Sequence, residues 1–399
     1  MNVVLNACSF MRRPVGEAKC FAASRRYSFK MTAIVNYLQR RIFIANRSRI
    51  QYISYRTFST RINPEQLNWR LAKASDFDDV VKLSEGIYNG YDFIPVVFHQ
   101  WLKRENVAIM MPNADNKLIG LEAGHIVDGG KTLVRRGGRI APNLRGQGLV
   151  RKMVPAWQQY VSAVFPKVSK ERLSTFVEIK AKGVSAFRLF KKVLERDELS
   201  YFVEEKSKEN FDRRDIYPSK ELEIESCTQE YFSDVILSSA ETQKWFPNNI
   251  LVFDWCPYEP LRSNIELIPE KNHRLYFFVE KCSIKGGPRS FSHGVHTQTV
   301  KATKWEATVY TDDPAVFEAH LLHQFKLARD IIEGKFTFFS VQDRIMTPFA
   351  RRVLGQMLQL KEANFLNGET MRVYERPFNR TKVILIKASV NEWKLYVCI

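Results

Sequence analysis

The chain has 399 residues, of which 45% are hydrophobic and 13% aromatic. This is enough apolar material for a packed core, and the length exceeds that of one ordinary domain. A formal net charge of +18 would suggest a nucleic-acid or anionic membrane partner, but twelve Lys and Arg against one acid fall in residues 1–64. The rest of the chain carries only +7 and lacks basic clusters interleaved with aromatics, which argues against nucleic-acid binding.

Residues 1–64 are rich in Arg and Ser and nearly free of acids. These features are typical of a mitochondrial transit peptide, so we expect a mitochondrial location. "RRYS" at residues 25–28 and "RTFS" at residues 56–59 resemble processing sites. The alternatives are a disordered basic tail, or an extension upstream of a start at Met31. A leader that is not used would leave the protein in the cytoplasm.

The remaining composition argues against two other classes. No stretch is both long enough and apolar enough to span a membrane. None of the six cysteines are at CxxC spacing, and two of them, Cys8 and Cys20, lie in the leader. We therefore expect neither a metal site nor a disulfide framework.

From residue 68 onward, the apolar pattern predicts elements in the order β-α-α-β-β-β-α-β-α-β. The predicted strands are at 69–74, from 107, 117–127, 131–142, 172–180 and from 199, and the helices at 75–85, 94–102, 149–165 and 184–193. This order predicts a first domain at 65–206, a charged linker at 207–225 and a second domain at 226–399. The second domain repeats part of the same order of strands and helices, although two unrelated α+β domains remain an alternative.

A glycine-rich segment, "RIAPNLRGQGLVRK" at residues 139–152, follows a predicted strand and precedes a predicted helix. Unpaired amides and the helix dipole attract anions there, and missing side chains let phosphate oxygens approach. Arg145 adds a full charge, with Arg151 and Lys152 one turn further on. The segment is neither a Walker loop nor a GxGxxG loop, because the spacing fails both patterns. The alternative is a basic β-turn. The equivalent place in the second domain, "TDDPAVFEAH" at 311–320, has acids and no glycine.

The pattern V-x-P-x-x-R-G-x-G resembles motif A of the GNAT acetyltransferases, the loop that binds the acetyl-CoA pyrophosphate. The resemblance implies an α+β GNAT fold, a mixed central sheet flanked by helices, followed by a second GNAT-like half without the cofactor loop. Val150 departs from the usual Gly or Ala. The resemblance implies that acetyl-CoA is a co-substrate and assigns its binding to Ile140, Ala141, Arg145, Gly146, Gln147, Gly148, Leu149 and Val150.

Two further stretches, at residues 86–102 and 119–134, are similar to the histidine N-acetyltransferases and their close relatives. The similarity implies transfer of acetyl to the α-amine of a free amino acid, histidine being the type substrate. It also places residues 86–102 where the acceptor pocket forms. Tyr88, Tyr91 and Asp92 are the candidate acceptor contacts, with Asp92 meeting a cationic amine; the alternative is a polar helix–helix turn.

A protonated amine cannot attack a thioester, so the enzyme needs a base. Glu122 interrupts an apolar strand and is either the base or a structural hydrogen-bonding group, since unpaired burial of a carboxylate is costly. Glu178 is the second candidate. In many GNATs a tyrosine protonates the departing thiolate, but Phe190 stands at that position here, so no acid is assigned.

Two other functions remain open from the sequence. One is acetylation of a protein or peptide amine, which needs an open groove. The other is a non-catalytic CoA-binding scaffold, which the departures at Val150 and Phe190 would suit. The sequence indicates no oligomeric state.

Overall fold

One mixed β-sheet forms the centre of the protein. The computed structural model describes residues 67–114, 117–176, 189–204, 222–268, 273–281, 288–363, 370–379, 384–389 and 392–396. All of these residues lie in a single compact unit, Arg61–Ile399. The predicted α+β class is confirmed, because helices flank this sheet.

Twelve strands follow one another across the sheet in the order β1-β2-β3-β4-β5-β12-β6-β11-β10-β9-β8-β7. Their bounds are β1 Asn68–Leu71, β2 Val107–Ala114, β3 Gly120–Val127, β4 Thr132–Arg135, β5 Lys170–Thr175, β6 Lys191–Val203, β7 Ile224–Cys227, β8 His273–Glu280, β9 Phe291–Gln298, β10 Thr303–Tyr310, β11 Phe336–Gln342 and β12 Thr370–Pro377. Three two-residue strands pair at the side of this path: Lys117–Leu118 with β2, Arg139–Ile140 with β3 and Lys361–Glu362 with β6. Two separate hairpins join Leu251–Phe253 to Cys256–Tyr258 and Ile384–Ser389 to Glu392–Tyr396.

The α-helices are α1 Phe77–Ser84, α2 Ile94–Trp101, α3 Val150–Val164, α4 Gln229–Tyr231, α5 Arg262–Ile265, α6 Pro314–Ile331 and α7 Thr347–Arg351. Wider π turns extend α4 through Phe232–Ile236 and α7 through Arg352–Met357. Short 3-10 turns are Ala74–Asp76, Ile87–Gly90, Pro142–Leu144, Ala240–Trp245, Pro247–Asn249 and Arg344–Met346.

The sheet is built from two similar halves that exchange their last strands. Within the main path, β4 and β5 pair in parallel in the first half, as do β10 and β11 in the second. The strand that follows β5 in the chain is β6, yet it pairs with β11 of the second half. The strand that ends the second half, β12, lies between β5 and β6. The sheet is therefore continuous across the predicted linker at 207–225.

The two faces of the first half carry separate apolar layers. Ile109 and Met111 of β2 pack beneath α1 and α2, whereas Ala108 and Met110 face the cluster around Trp157 of α3. This alternation is the two-residue period of a strand buried on both faces. In the second half, α6 and α7 cover a larger apolar cluster on β10 and β11.

One predicted helix is wrong at its C-terminal end. Residues 184–193 were expected to be helical, but Lys191–Val193 belong to β6, while 184–188 lie outside the described residues. The predicted strand 172–180 is observed as Lys170–Thr175. The last residues of the predicted range also lie outside the described residues.

Candidate active site

The glycine loop projects from the end of a short strand and enters α3. Leu144 and Leu149 are buried in one apolar cluster, which fixes both ends of the loop. Between them, Arg145, Gly146 and Gly148 are exposed. Gly146 and Gly148 have φ angles of +80° and +75°, and a Cβ added at either would meet no atom within 4 Å. The two glycines therefore leave the backbone turned outward with open space above it.

This loop has the properties of an anion site. Among the described residues, no protein acceptor hydrogen-bonds to the amides of Gly146, Gly148, Leu149 or Val150. These amides precede or begin the first turn of α3, where the helix dipole favours negative charge. The exposed side chains of Arg145, Arg151 and Lys152 add positive charge. A diphosphate thus fits the donor set and the space that the loop provides.

The matching helix of the second half is closed to an anion. Asp313 precedes α6, and its Oδ1 accepts hydrogen bonds from the amides of Ala315, at 2.8 Å, and Val316, at 3.2 Å. The amides that could bind a phosphate are occupied by a carboxylate of the chain itself. At this position the second half therefore offers an anion none of the amides that Asp313 caps.

A cavity opens where β4 and β5 stop pairing. Their parallel register ends at Arg135 and Leu173, and residues just beyond, including Arg136, Gly137, Ser174 and Phe176, line the cavity. The space it encloses, including the opening to solvent, is about 890 Å³. The position at the carboxyl ends of parallel strands is the usual one for ligands of α/β sheets.

One wall of the cavity comes from the segment between α1 and α2. Tyr88 and Tyr91 line it, held by a tight turn in which Tyr88 and Asn89 have φ angles of 48° and 55°. The guanidinium carbon of Arg139 lies 5.5 Å from the Tyr88 ring centroid, and Nζ of Lys301 lies 5.0 Å from that of Tyr91. Lys301 belongs to the second half, so both halves meet at this wall.

The second half supplies the opposite wall. Phe253 and Cys256 pair across a two-residue turn formed by Asp254 and Trp255, whose φ angles are 44° and 64°. Both angles match a type I′ turn, which usually contains Asn and Gly, and a Trp there is strained. The turn directs both residues into the cavity, where the Trp255 ring lies 4.1 Å from that of Phe176.

Most charges around the cavity are paired. Oε1 of Glu122 accepts a hydrogen bond from Nε of Arg135 at 2.8 Å, and Asp92 is 3.0 Å from Nη2 of Arg139. Asp254 interacts with Nη2 of Arg136 at 3.1 Å and with Nζ of Lys304 at 2.6 Å. Burial alone would lower the pKa of Lys304, but the carboxylates of Asp254 and Glu306 outweigh it and raise that pKa.

Glu198 differs from these carboxylates. It lies on β6, lines the cavity and is 4% exposed, and in the described part of the chain its polar contact is with the Trp255 side chain and not with a cation in an ion pair. Burial raises the pKa of Glu198 well above its usual range, and the carboxylates of Glu306 and Asp254 raise it further, while Lys304 opposes them. Sequence reasoning missed Glu198 because nothing local distinguishes it in a charged stretch, "LERDEL".

The sequence-predicted site residues are only partly brought together. Tyr88 and Tyr91 line the cavity, whereas the Asp92 carboxylate is 1% exposed and binds Arg139 instead of facing a ligand. Glu122 lies beside the cavity, held by Arg135 and only 3% exposed, which favours the structural alternative for this residue. Glu178 lies outside the described residues.

The assigned loop residues fall into two groups. Gly146, Gly148 and Arg145 present the open face, while Ile140 and Ala141 pack beside the buried Leu149. Gln147 is half-buried, and Val150, 37% exposed, is the first residue of α3. Phe190 precedes β6, and its ring packs against the guanidinium of Arg376. The guanidinium carbon lies 4.5 Å from the Phe190 ring centroid.

Two further features are absent from the described residues. No group of three or more His, Cys, Asp or Glu in them could hold a metal ion. No helix in the same residues is long and apolar enough to cross a membrane.

Comparison with known proteins identifies several relatives. Residues 220–343 match the family model of the histidine N-acetyltransferase C-terminal region. The chain is 25% identical over 219 residues to a histidine N-acetyltransferase of Scomber australasicus, covering 52% of this chain and 63% of that protein. It is 27% identical over 213 residues to the human "Probable N-acetyltransferase 16", covering 52% and 58%. The chain thus spans about three fifths of the length of the relatives it matches.

A solved structure shares the tandem arrangement. A tandem GNAT protein from the clavulanic acid biosynthesis pathway superimposes with a TM-score of 0.50 at 9% identity, covering 79% of this chain and 100% of that one. At this identity the likeness shows the fold alone. The expected fold, a GNAT domain followed by a second GNAT-like half, is confirmed.

Proposed function

We propose that this chain, a GNAT-fold relative of the histidine N-acetyltransferases, transfers acetyl from acetyl-CoA to the amine of a small amino acid, with histidine the first candidate. The observation that carries the proposal is the open glycine loop at the start of α3. Its free amides and three exposed cations suit the diphosphate of a coenzyme. The loop directly follows Arg139, which lines the cavity.

The chain's own residues divide the work between binding and chemistry. The amides of Gly146, Gly148 and Leu149 would hold the diphosphate, with Arg145 at the rim. Bound acetyl-CoA supplies the acetyl thioester. The cavity would hold the acceptor against the Tyr88 and Tyr91 rings.

The cavity favours a small acceptor. Aromatic side chains from both halves enclose it, and its volume of about 890 Å³ includes the opening. An amino acid combines an ammonium with a compact side chain, and the walls offer carboxylates for the first and aromatic rings for the second: Glu198, Asp254, Tyr88, Tyr91, Phe176, Trp255 and Phe339.

The test is acceptor-dependent release of CoA thiol. Residues 65–399 are incubated with acetyl-CoA and each amino acid in turn, with N-terminally blocked peptides as a parallel panel. We expect release with one or a few free amino acids. Release only with peptides would favour a protein acetyltransferase, and binding of acetyl-CoA without release would favour a scaffold.

We also propose that residues 1–64 direct the protein to mitochondria, on the basis of their basic, acid-poor composition. Residues 1–64 fused to a fluorescent protein should label mitochondria. A matched fusion with the twelve Lys and Arg changed to Gln should stay diffuse, and diffuse signal from the unchanged leader would reject the proposal.

A further inference from the structure

A buried carboxylate at the cavity wall has no charge partner of its own. Four cations line the cavity, and each pairs with carboxylates: Arg135 with Glu122 and Glu171, Arg136 with Asp254, Lys304 with Asp254 and Glu306, and Arg139 with Asp92. Those five carboxylates already occupy the four cations. Glu198 is a sixth carboxylate in the same environment.

An unpaired carboxylate is costly in such a place. The side chain is almost fully buried, and in the described part of the chain its carboxylate has the neutral indole of Trp255 as a neighbour but forms no ion pair. A group that served only the fold would be expected to have a partner, as Glu122 and Glu171 do. A cationic amine entering the cavity would supply the missing charge.

We propose that Glu198 is the catalytic residue that accepts the proton which the acceptor ammonium must lose before it can attack. The proposal rests on the acetyl transfer proposed above. The ammonium gives one proton to the Glu198 carboxylate, which leaves a neutral amine. That amine forms the new C–N bond to the acetyl carbon as the C–S bond breaks. The second nitrogen proton goes with the departing sulfur, so the products are an amide and a thiol, and Glu198 returns its proton to solvent.

The second half of the sheet sets the environment of this carboxylate. The charged groups around it are Lys304 and Glu306 on β10, Asp254 in the turn, Arg135 at the end of β4 and Arg136 just after it. Glu306 is buried, and its negative charge acts on Glu198. Like-charged neighbours favour the protonated form, which makes Glu198 a stronger base than an ordinary carboxylate. The GNAT-like half without a cofactor loop would thus contribute directly to catalysis.

The test compares Glu198→Gln with Glu195→Gln on the same strand. Glu195 pairs at the surface with Lys192 and Arg372 and does not line the cavity. The kcat/KM for the acceptor is measured at saturating acetyl-CoA from about pH 6 to about pH 10, with acetyl-CoA affinity alongside. We expect Glu198→Gln to lose about 100-fold or more near neutral pH and to recover as rising pH deprotonates the amine itself. Glu195→Gln should behave as wild type.

Stability separates a catalytic role from a structural one. Because its folded pKa is raised, Glu198 binds protons more tightly in the folded state, and its ionisation lowers stability as pH rises. Glu198→Gln should therefore be at least as stable as wild type at neutral pH, with the difference vanishing in acid. Reduced stability, or a wild-type pH profile, would overturn the assignment. Wild-type protein that acetylates no amino acid would instead refute the proposed function, before any variant is compared.

Discussion

Arg135 holds two buried carboxylates, and this arrangement explains what Glu122 does. Its Nε is 2.8 Å from Glu122 and 3.6 Å from Glu171, and all three side chains are at most 9% exposed. Oε2 of Glu122 also lies against Gly138, where an added Cβ would be 2.9 Å away. Glu122 thus fixes the backbone between β4 and the glycine loop, which makes it a positioning residue.

Replacement of Glu122 by Gln should mainly cost stability. The amide keeps the size of the side chain but leaves Arg135 with one carboxylate, so we expect a loss of about 1–3 kcal/mol in the free energy of unfolding. The measurement is denaturant unfolding, with the pH dependence of kcat/KM recorded beside it. A variant with wild-type stability that loses the acidic limb of its pH profile would restore Glu122 as the base.

Among the elements, α3 and α6 occupy equivalent places and begin in opposite ways. Exposed glycines precede α3 and leave its first amides free, whereas the carboxylate of Asp313 caps α6. One half of the duplicated fold therefore has an anion site and the other has a sealed helix end.

Asp313→Ala should remove this cap and cost about 1 kcal/mol, because two amides of α6 lose their acceptor. Asp312→Ala is the matched control, since the Asp312 side chain pairs with Lys244 at the surface, and an exposed pair of this kind contributes little. Both are measured by denaturant unfolding. Equal stability losses in the two variants would contradict the capping role.

At this scale the sequence predicted most elements but not all of them. The glycine loop and α2 were predicted because glycine spacing and apolar periodicity are local signals. Strand β9 was missed, since its polar residues and Gly294 do not resemble a buried strand. Gly294 is required there because the Trp305 ring occupies the space of its missing side chain, 2.2 Å from an added Cβ, which only the neighbouring strand reveals.

The sequence predicted only those site residues that lie close together along the chain. The loop, Tyr88 and Tyr91 come from one continuous region of the chain. Glu198, Asp254 and Lys304 reach the same cavity through the exchanged strand and the second half. Pairing between distant segments is set by tertiary packing, and single-sequence patterns do not contain it.

For the whole molecule, the exchanged strands make each half depend on the other. Without residues 222–399, β5 would lose β12 and β6 would lose β11, which exposes long unpaired edges. The domain boundaries drawn from the sequence, 65–206 and 226–399, stay a prediction about the chain and do not separate the sheet.

We expect residues 65–204 expressed alone to be insoluble or to lack a cooperative unfolding transition. Coexpression with residues 205–399 should restore a soluble complex that copurifies, because the two fragments together complete the sheet. The measurement is copurification followed by thermal unfolding. A first fragment that unfolds alone at the temperature of the intact chain would show that the exchange is not needed for stability.

The central claim, that the glycine loop binds acetyl-CoA, is tested most directly by calorimetric titration of two matched variants. Gly148 and Gly334 have φ angles of +75° and +72°, and an added Cβ at either meets no atom within 4 Å. Gly148→Trp and Gly334→Trp therefore impose the same backbone strain, but only the first fills the loop. We predict that Gly334→Trp binds acetyl-CoA as wild type does, whereas Gly148→Trp, folded to a similar degree, shows no binding. Wild-type affinity in Gly148→Trp would contradict the account.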